Sequence, residues 1–228
     1  MIALDSASKF AGDTTVVTSV AWNHTCTGSN LVLVVLTAAQ TATDANRPID
    51  SVTYNGDALT KIREDDNAGD NITTGIWYLL NPDTGGAYEI LVTAHGLETG
   101  LTAMAYSLTG VAQSGQPDAQ NGTTGSNAAS VSTTVTTVAD NSWVLGICVM
   151  IGVVGTITDA SSQSNTQTSL NFEMSTADAG TGTLGPKTPA GDVAVSWDDG
   201  GATGSPDWAI SAASFSPFGA RRIFITQQ

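Results

Sequence analysis

Apolar and polar residues alternate with period two along most of this chain, the spacing of a half-buried β-strand. In "VVTSVAW", Val16, Thr18, Val20 and Trp22 share one face. In "GIWYLL", Ile76, Tyr78 and Leu80 oppose Trp77 and Leu79, and in "YEILVTAH" Tyr88, Ile90 and Val92 fall together. "LTAMAYSLTGV", "VSTTVTTV", "TSLNFEM", "VAVSW" and "DWAISAASFSPF" read the same way. Two runs break the alternation. "LVLVVL" (31–36) and "WVLGICVMI" (143–151) are apolar on both faces, which predicts central strands covered on both sides. Between strands stand turn formers. Asn55-Gly56 in "SVTYNGDALTKI" suits a tight hairpin, because a type I′ turn needs positive φ at both central positions. "NPDTGG" is a turn cluster, and the Gly- and Pro-rich stretch from Ala177 to Gly191 reads as an extended loop.

The halves of the chain rhyme. Each holds a Thr/Val strand, a polar turn, a long apolar strand and a closing alternating strand; "AQSGQPDAQNGTTGSNAAS" separates them. No short fixed period marks a solenoid. The pattern predicts an all-β fold: a two-sheet, jelly-roll-like β-sandwich formed as one domain over residues 1–219, with similar halves of about 1–112 and 128–219. Residues 220–228 lie beyond it as a tail or docking strand.

Composition sharpens this picture. The chain has 228 residues, 41% of them hydrophobic, enough to bury a core, and its 24 glycines suit many short strands and turns. Seven basic residues face 21 acidic ones, a net charge of −14, and a field of that sign disfavours nucleic acid and anionic membrane as partners. Two of the basic residues are adjacent, Arg221 and Arg222, so residues 1–220 carry only five against 21. Cys26 and Cys148 are too few for a disulfide framework and read as free thiols. The opening "MIALDSASKFAGDTTVV" lacks a basic, then apolar, secretory leader, and the longest apolar run is far short of the about 20 residues of a membrane helix. Synthesis in a cytoplasm is therefore expected.

Candidate chemistry is sparse. His24 and His95 have no accompanying nucleophile motif or metal spacing, and the four glutamates and 17 aspartates single out no catalytic pair, so no catalytic residue, no enzyme activity and no cofactor is expected. "REDDNAGDN" gathers oxygen ligands at Asp65, Asp66, Asn67 and Asp70, yet an EF-hand count from Asp65 puts Asp70 where glycine belongs and Ile76 where glutamate belongs. These residues, with Asp198 and Asp199 in "WDDGG", remain weak metal candidates against a reading as solvated hairpin tips. Trp22, Trp143 and Trp197 read as core; Trp77 and Trp208 are the candidates for stacking on a sugar.

"SVTYNGDALTKI", followed by "GIWYLLNPDTGG" and "EILVT" and flanked by "WNHTCTGSNLVLVV" and "AMAYSLTGV", resembles a pattern in uncharacterised β-rich proteins of phage and bacterial genomes. Among these are phage virion components, including jelly-roll decoration (cement) proteins of capsids. The resemblance covers the first half. It implies a non-enzymatic structural protein, made in the host cytoplasm and displayed on the virion exterior, homo-oligomeric and bound to a capsid or other virion protein. The alternative is an extracellular or cell-surface adhesion or carbohydrate-binding module. In the tail, Ile223 and Ile225 oppose Phe224 in an extended chain, so a strand there needs cover on both faces. With Arg221 and Arg222 these residues are the expected partner-binding element, adding a strand to a neighbouring subunit or to the particle; the alternative is that the segment pairs with its own sheet, beside the N-terminal strand.

Overall fold

A computed structural model describes residues 1–10, 17–41, 49–67, 72–151, 158–159, 170–174, 177–199 and 206–219. Every described regular element is a strand. The first half supplies β1 (Ala3–Lys9), β2 (Val17–Thr25), β3 (Val32–Gln40), β4 (Ile49–Tyr54), β5 (Asp57–Ala58), β6 (Thr60–Asn67), β7 (Ile72–Leu80), β8 (Ala87–Glu98) and β9 (Gly100–Thr109). The second supplies β10 (Ala119–Gly125), β11 (Ser130–Thr136), β12 (Ser142–Ile151), β13 (Thr158–Asp159), β14 (Leu170–Met174), β15 (Ala177–Lys187), β16 (Asp192–Asp198) and β17 (Asp207–Phe215).

The strands form four antiparallel sheets. The first half builds a large sheet, β1-β9-β3-β7-β6, and a small one, β2-β8-β4-β5. The second half repeats both orders, as β10-β17-β12-β15-β14 and β11-β16-β13. In each half the first and last strands are neighbours in one sheet, and the second and penultimate strands are neighbours in the other. That is jelly-roll connectivity. The chain from Asp57 to Asn67 changes sheets within one stretch: β5 pairs with β4, the chain crosses at Leu59, and β6 pairs with β7. Asn55 and Gly56 turn the β4–β5 hairpin with φ of 50° and 86°, as the Asn-Gly signal predicts.

The all-β sandwich is therefore present, with the two-sheet plan realised once in each half rather than shared between them. The doubly apolar strands supply the reason. A single two-sheet sandwich covers only one face of each sheet, whereas β3 and β12 are apolar on both. Val32, Val34, Leu36 and Ala38 of β3 meet Trp143, Leu145, Ile147 and Val149 of β12 in a central core between the two large sheets. The opposite faces pack outward. Leu33, Val35 and Ala39 join Val52, Tyr54, Ile90 and Val92 of the first small sheet. Val144, Cys148 and Met150 join Val131, Val195 and Trp197 of the second. The order of layers is small, large, large, small.

The central packing has an internal two-fold relation. β3 lies against β12; β7 lies against β12 and β15 against β3; β6 lies against β17 and β14 against β9. These contacts match with the halves exchanged, whereas β6 also lies against β10 without such a counterpart between β14 and β1.

The stretch expected to be an extended loop, Ala177 to Gly191, instead contains β15, hydrogen-bonded between β12 and β14. Its glycines mislead a propensity reading, yet one is required by packing: a Cβ on Gly185 would stand 2.5 Å from the Trp143 ring. β10 likewise forms within the polar stretch that shows no period, held by β17 along its whole length.

Candidate functional site

Two places bring polar or apolar side chains together in ways the sequence alone does not show. The first closes the open side of the first sandwich, between edge strands β1 and β2. His24 is 2% exposed. Its Nδ1 lies 2.7 Å from Ser8 Oγ, and its Nε2 lies 3.2 Å from Ser107 Oγ. Ser107 Oγ donates to Asp5 Oδ2 at 2.6 Å. The carboxylate fixes the direction of the chain, because it only accepts. Ser107 gives its proton to Asp5 and therefore accepts from His24 Nε2–H. Nδ1 is then an acceptor for the Ser8 hydroxyl, whose oxygen in turn accepts Trp22 Nε1–H at 2.9 Å.

Burial pushes the imidazole down to about 4, against a smaller upward pull from Asp5, so the ring is neutral at pH 7. Burial raises Asp5, but bonds from Ser107 and from the Thr27 hydroxyl and amide outweigh it, and its carboxyl sits below the ordinary range. Cys26 and Tyr54 are pushed up, chiefly by burial. Tyr54 donates to the carbonyls of His24 and Asp83.

A serine, a histidine and an aspartate linked in series resemble the parts of a nucleophilic relay. Their placement argues for a clamp instead. The imidazole is enclosed, and the Ser8 oxygen is already engaged by Trp22. The second half repeats the Asp–Ser bond without a histidine: Ser214 Oγ donates to Asp118, whose other oxygen accepts from Ser142 at 3.2 Å. In the first half an aspartate within the first strand, and in the second an aspartate just before it, is tied to a serine on the last strand. The bond recurs where the strands recur, as a fold requirement does.

The metal candidates are occupied otherwise or lie apart. Asp65 is a strand residue facing the second half, not a hairpin tip. It accepts from Arg63 Nε at 2.6 Å and Nη2 at 2.5 Å, and from Ser211. Ser211 also meets Thr74 Oγ1 at 2.8 Å. Asp66 accepts from Thr73 at 2.9 Å. Asp70 lies outside the described residues. Asp198 is half-buried at the end of β16, and Asp199 is buried with its amide bonded to the Ala129 carbonyl. Among the described residues no group of three or more His, Cys, Asp or Glu side chains is placed to hold a metal ion.

Of the stacking candidates, Trp77 is 4% exposed within the first outer core, with Lys61 Nζ 4.8 Å from its ring centroid. Trp208 is half-buried; its indole covers Gly125 and packs on the second outer core. Arg221, Arg222, Ile223, Phe224 and Ile225 lie outside the described residues.

The second place is the seam between the halves, where one large apolar side chain stands exposed beside a cleft of mixed polarity. The segment joining the halves is held to the end of β17: Ala112 N bonds to Ser216 O, Phe218 N bonds to Gly110 O at 2.7 Å, and Gln116 Nε2 bonds to Ser216 Oγ at 2.7 Å. Beside this seam is a cleft of about 620 Å³ lined by Ala112, Gln113, Ala139, Ser216, Pro217 and Phe218, among others. The exposed large apolar residues of the described structure are Met1, Val138 and Phe218 at 84%, 41% and 62%. Of these, Phe218 lines the cleft. Val138 precedes Ala139 of the cleft wall, and the Met1 carbonyl lies against Gly110, the residue that anchors Phe218. Sequence reading missed the cleft because its walls are a polar linker and a strand stop, which carry no period. The available signal was Phe218 itself, a large apolar residue following Pro217 in a turn, where no strand face can bury it.

Comparison with protein-family models, with curated proteins and with solved structures finds no match to this chain.

Proposed function

We propose that this chain is a non-enzymatic structural protein of a phage virion, a capsid decoration protein displayed on the particle exterior and made in the host cytoplasm. The observation that carries the reading is the exposed Phe218 beside the cleft at the seam. Exposed Phe218 lines a cleft on a body of five basic and 21 acidic residues, and exposed Val138 and Met1 adjoin residues of the same seam. Apolar side chains grouped on a charged body favour attachment to other proteins. The acidic remainder favours separation from like-charged neighbours in solution. The burial of Trp77 weighs against the carbohydrate-binding alternative.

The test is co-purification. Virions of the phage that encodes the chain are banded on a density gradient, and the chain is quantified against the major capsid protein. A fixed stoichiometric ratio that survives rebanding is expected. Absence from the particle band refutes the reading.

A further inference from the structure

We propose that Asn121 is a self-modifying site: its side-chain amide closes onto the backbone nitrogen of Gly122, water opens the ring, and the aspartate or isoaspartate that results loosens strand β10. The nucleophile and the leaving group belong to adjacent residues, so the reaction consumes only water. The inference is independent of the virion reading.

The chain holds two Asn-Gly pairs, Asn55-Gly56 and Asn121-Gly122, and both asparagines are exposed to water. Glycine favours ring closure because no Cβ obstructs it and its backbone turns freely. The two sites differ in where the asparagine side chain goes. At Asn55 it is drawn away, with Nδ2 donating to Asp83 Oδ2 at 2.7 Å. At Asn121 it lies over the next peptide, and Gly122 N donates to Asn121 Oδ1 at 2.9 Å. The carbon to be attacked is bonded to that oxygen. The nucleophile is therefore already beside it, as a near-attack arrangement requires. β10 is an edge strand of its sheet, so the backbone movement of ring closure disturbs one ladder rather than two.

Gly122 N gives its proton to hydroxide and bonds to Asn121 Cγ. The Cγ–Nδ2 bond breaks, and the amide nitrogen takes up a proton and leaves as ammonia. Water then adds to one of the two ring carbonyls. Opening at Cγ gives aspartate; opening at the backbone carbonyl gives isoaspartate, whose main chain runs through Cβ and Cγ. Nothing is oxidised or reduced. The product acts on the edge of the second sandwich. Asn121 Nδ2 donates to the Thr134 carbonyl at 2.8 Å, joining edge strands β10 and β11. A carboxylate has no proton to give, so two acceptors then face each other. Gly122 also packs on the Arg63–Asp65 pair, where an added Cβ would stand 2.6 Å from Arg63 Nη2. The extra main-chain carbon of isoaspartate shifts this residue along β17 and breaks the register beyond it.

The test is ageing of the full chain in mildly alkaline, heavy-oxygen water, followed by peptide mapping in a mass spectrometer. In the folded chain Asn121 is expected to convert ahead of Asn55, with loss of ammonia, gain of heavy oxygen, isoaspartate among the products and a rate that rises with pH. In the chain unfolded in guanidinium the two sites should convert at similar rates, because the placement of the side chains is gone. Asn121→Gln keeps an amide but needs a larger ring, and should stay intact over the same period. Asn121→Asp carries the charge of the product without ageing. It should speed hydrogen exchange in β10 and β11 and leave β1 and β2 unchanged. Conversion of Asn55 before or together with Asn121 in the folded chain overturns the proposal, as does an intact Asn121 in the folded chain under conditions where the unfolded chain reacts. Unaltered exchange in β10 and β11 of both Asn121→Asp and the aged protein refutes the loosening.

Discussion

Acidification should unlock the clamp at His24, and the size of the effect follows from its surroundings. The ring is held neutral, near 4, where an unfolded histidine titrates near 6.5. Because the folded value is the lower one, the contribution is fully present above pH 6.5 and is lost as pH falls toward 4. Between pH 7 and pH 4.5 linkage gives a loss of about 2.5 kcal/mol. The ring is 2% exposed, so solvent screening does not reduce this much. Protonation also breaks the order of the bonds. Nδ1 ceases to accept, and the Ser8 hydroxyl must turn its proton away from the ring while Trp22 still donates to its oxygen. At pH 4.5 Asp5 remains ionised, because its carboxyl lies below the ordinary carboxylate range, so the window isolates the imidazole. The assay is urea unfolding of wild type and His24→Gln at both pH values. The glutamine keeps a donor toward Ser107 and has no proton to gain. The variant should be weaker by about 1 kcal/mol at pH 7, from the loss of one hydrogen bond. Its deficit should vanish or reverse at pH 4.5. An equal gap between the two proteins at both pH values would refute the reasoning.

Further outcomes follow from the layers. Val34→Asp or Ile147→Asp places a lone carboxylate in the central core and should cost several kcal/mol, read as insolubility or a collapsed melting transition. Arg63→Met strands Asp65 between the halves and should cost about 2–3 kcal/mol in thermal unfolding, while the double replacement Arg63→Met with Asp65→Leu should recover most of it. Gly146→Ala forces a methyl to 2.7 Å from Val195 Cγ1 and 3.0 Å from the Trp197 ring, an overpacking that should cost about 1–3 kcal/mol by urea unfolding. Chelator should leave the melting temperature unchanged, since Asp65 and Asp66 already accept hydrogen bonds from Arg63, Ser211 and Thr73; a drop reversed by calcium would contradict that assignment.

Strand content was legible because period two is a local property. β3 and β12 announced themselves as doubly covered centres, and Asn55-Gly56 announced its turn. How many sandwiches the chain builds was less legible, although the doubly apolar strands held the answer. β15 was hidden because its pairing comes from β12 and β14 rather than from its own glycine-rich sequence. The His24 clamp was hidden for a different reason. Asp5, Ser8, His24 and Ser107 come from three strands, and the bulge between Leu4 and Ser6 sets where Asp5 points. No spacing in sequence encodes that meeting. The cleft depends on the linker being tied back to the end of β17, a long-range contact with no periodic trace.

The two-fold central core gives the molecule a contact of the kind found between identical subunits, carried within one polypeptide. Dilution cannot separate such partners: the linker sets an effective concentration that stays fixed however little protein is present. A separate half would have to cover the same face with another copy, and its stability would then change with its own concentration. Covalent joining also releases the two faces from having to be identical. Arg63 and Asp65 stand on β6, while its counterpart β14 holds no basic residue in its sequence. An asymmetric lock of that sort is open only to a pair whose members are free to diverge.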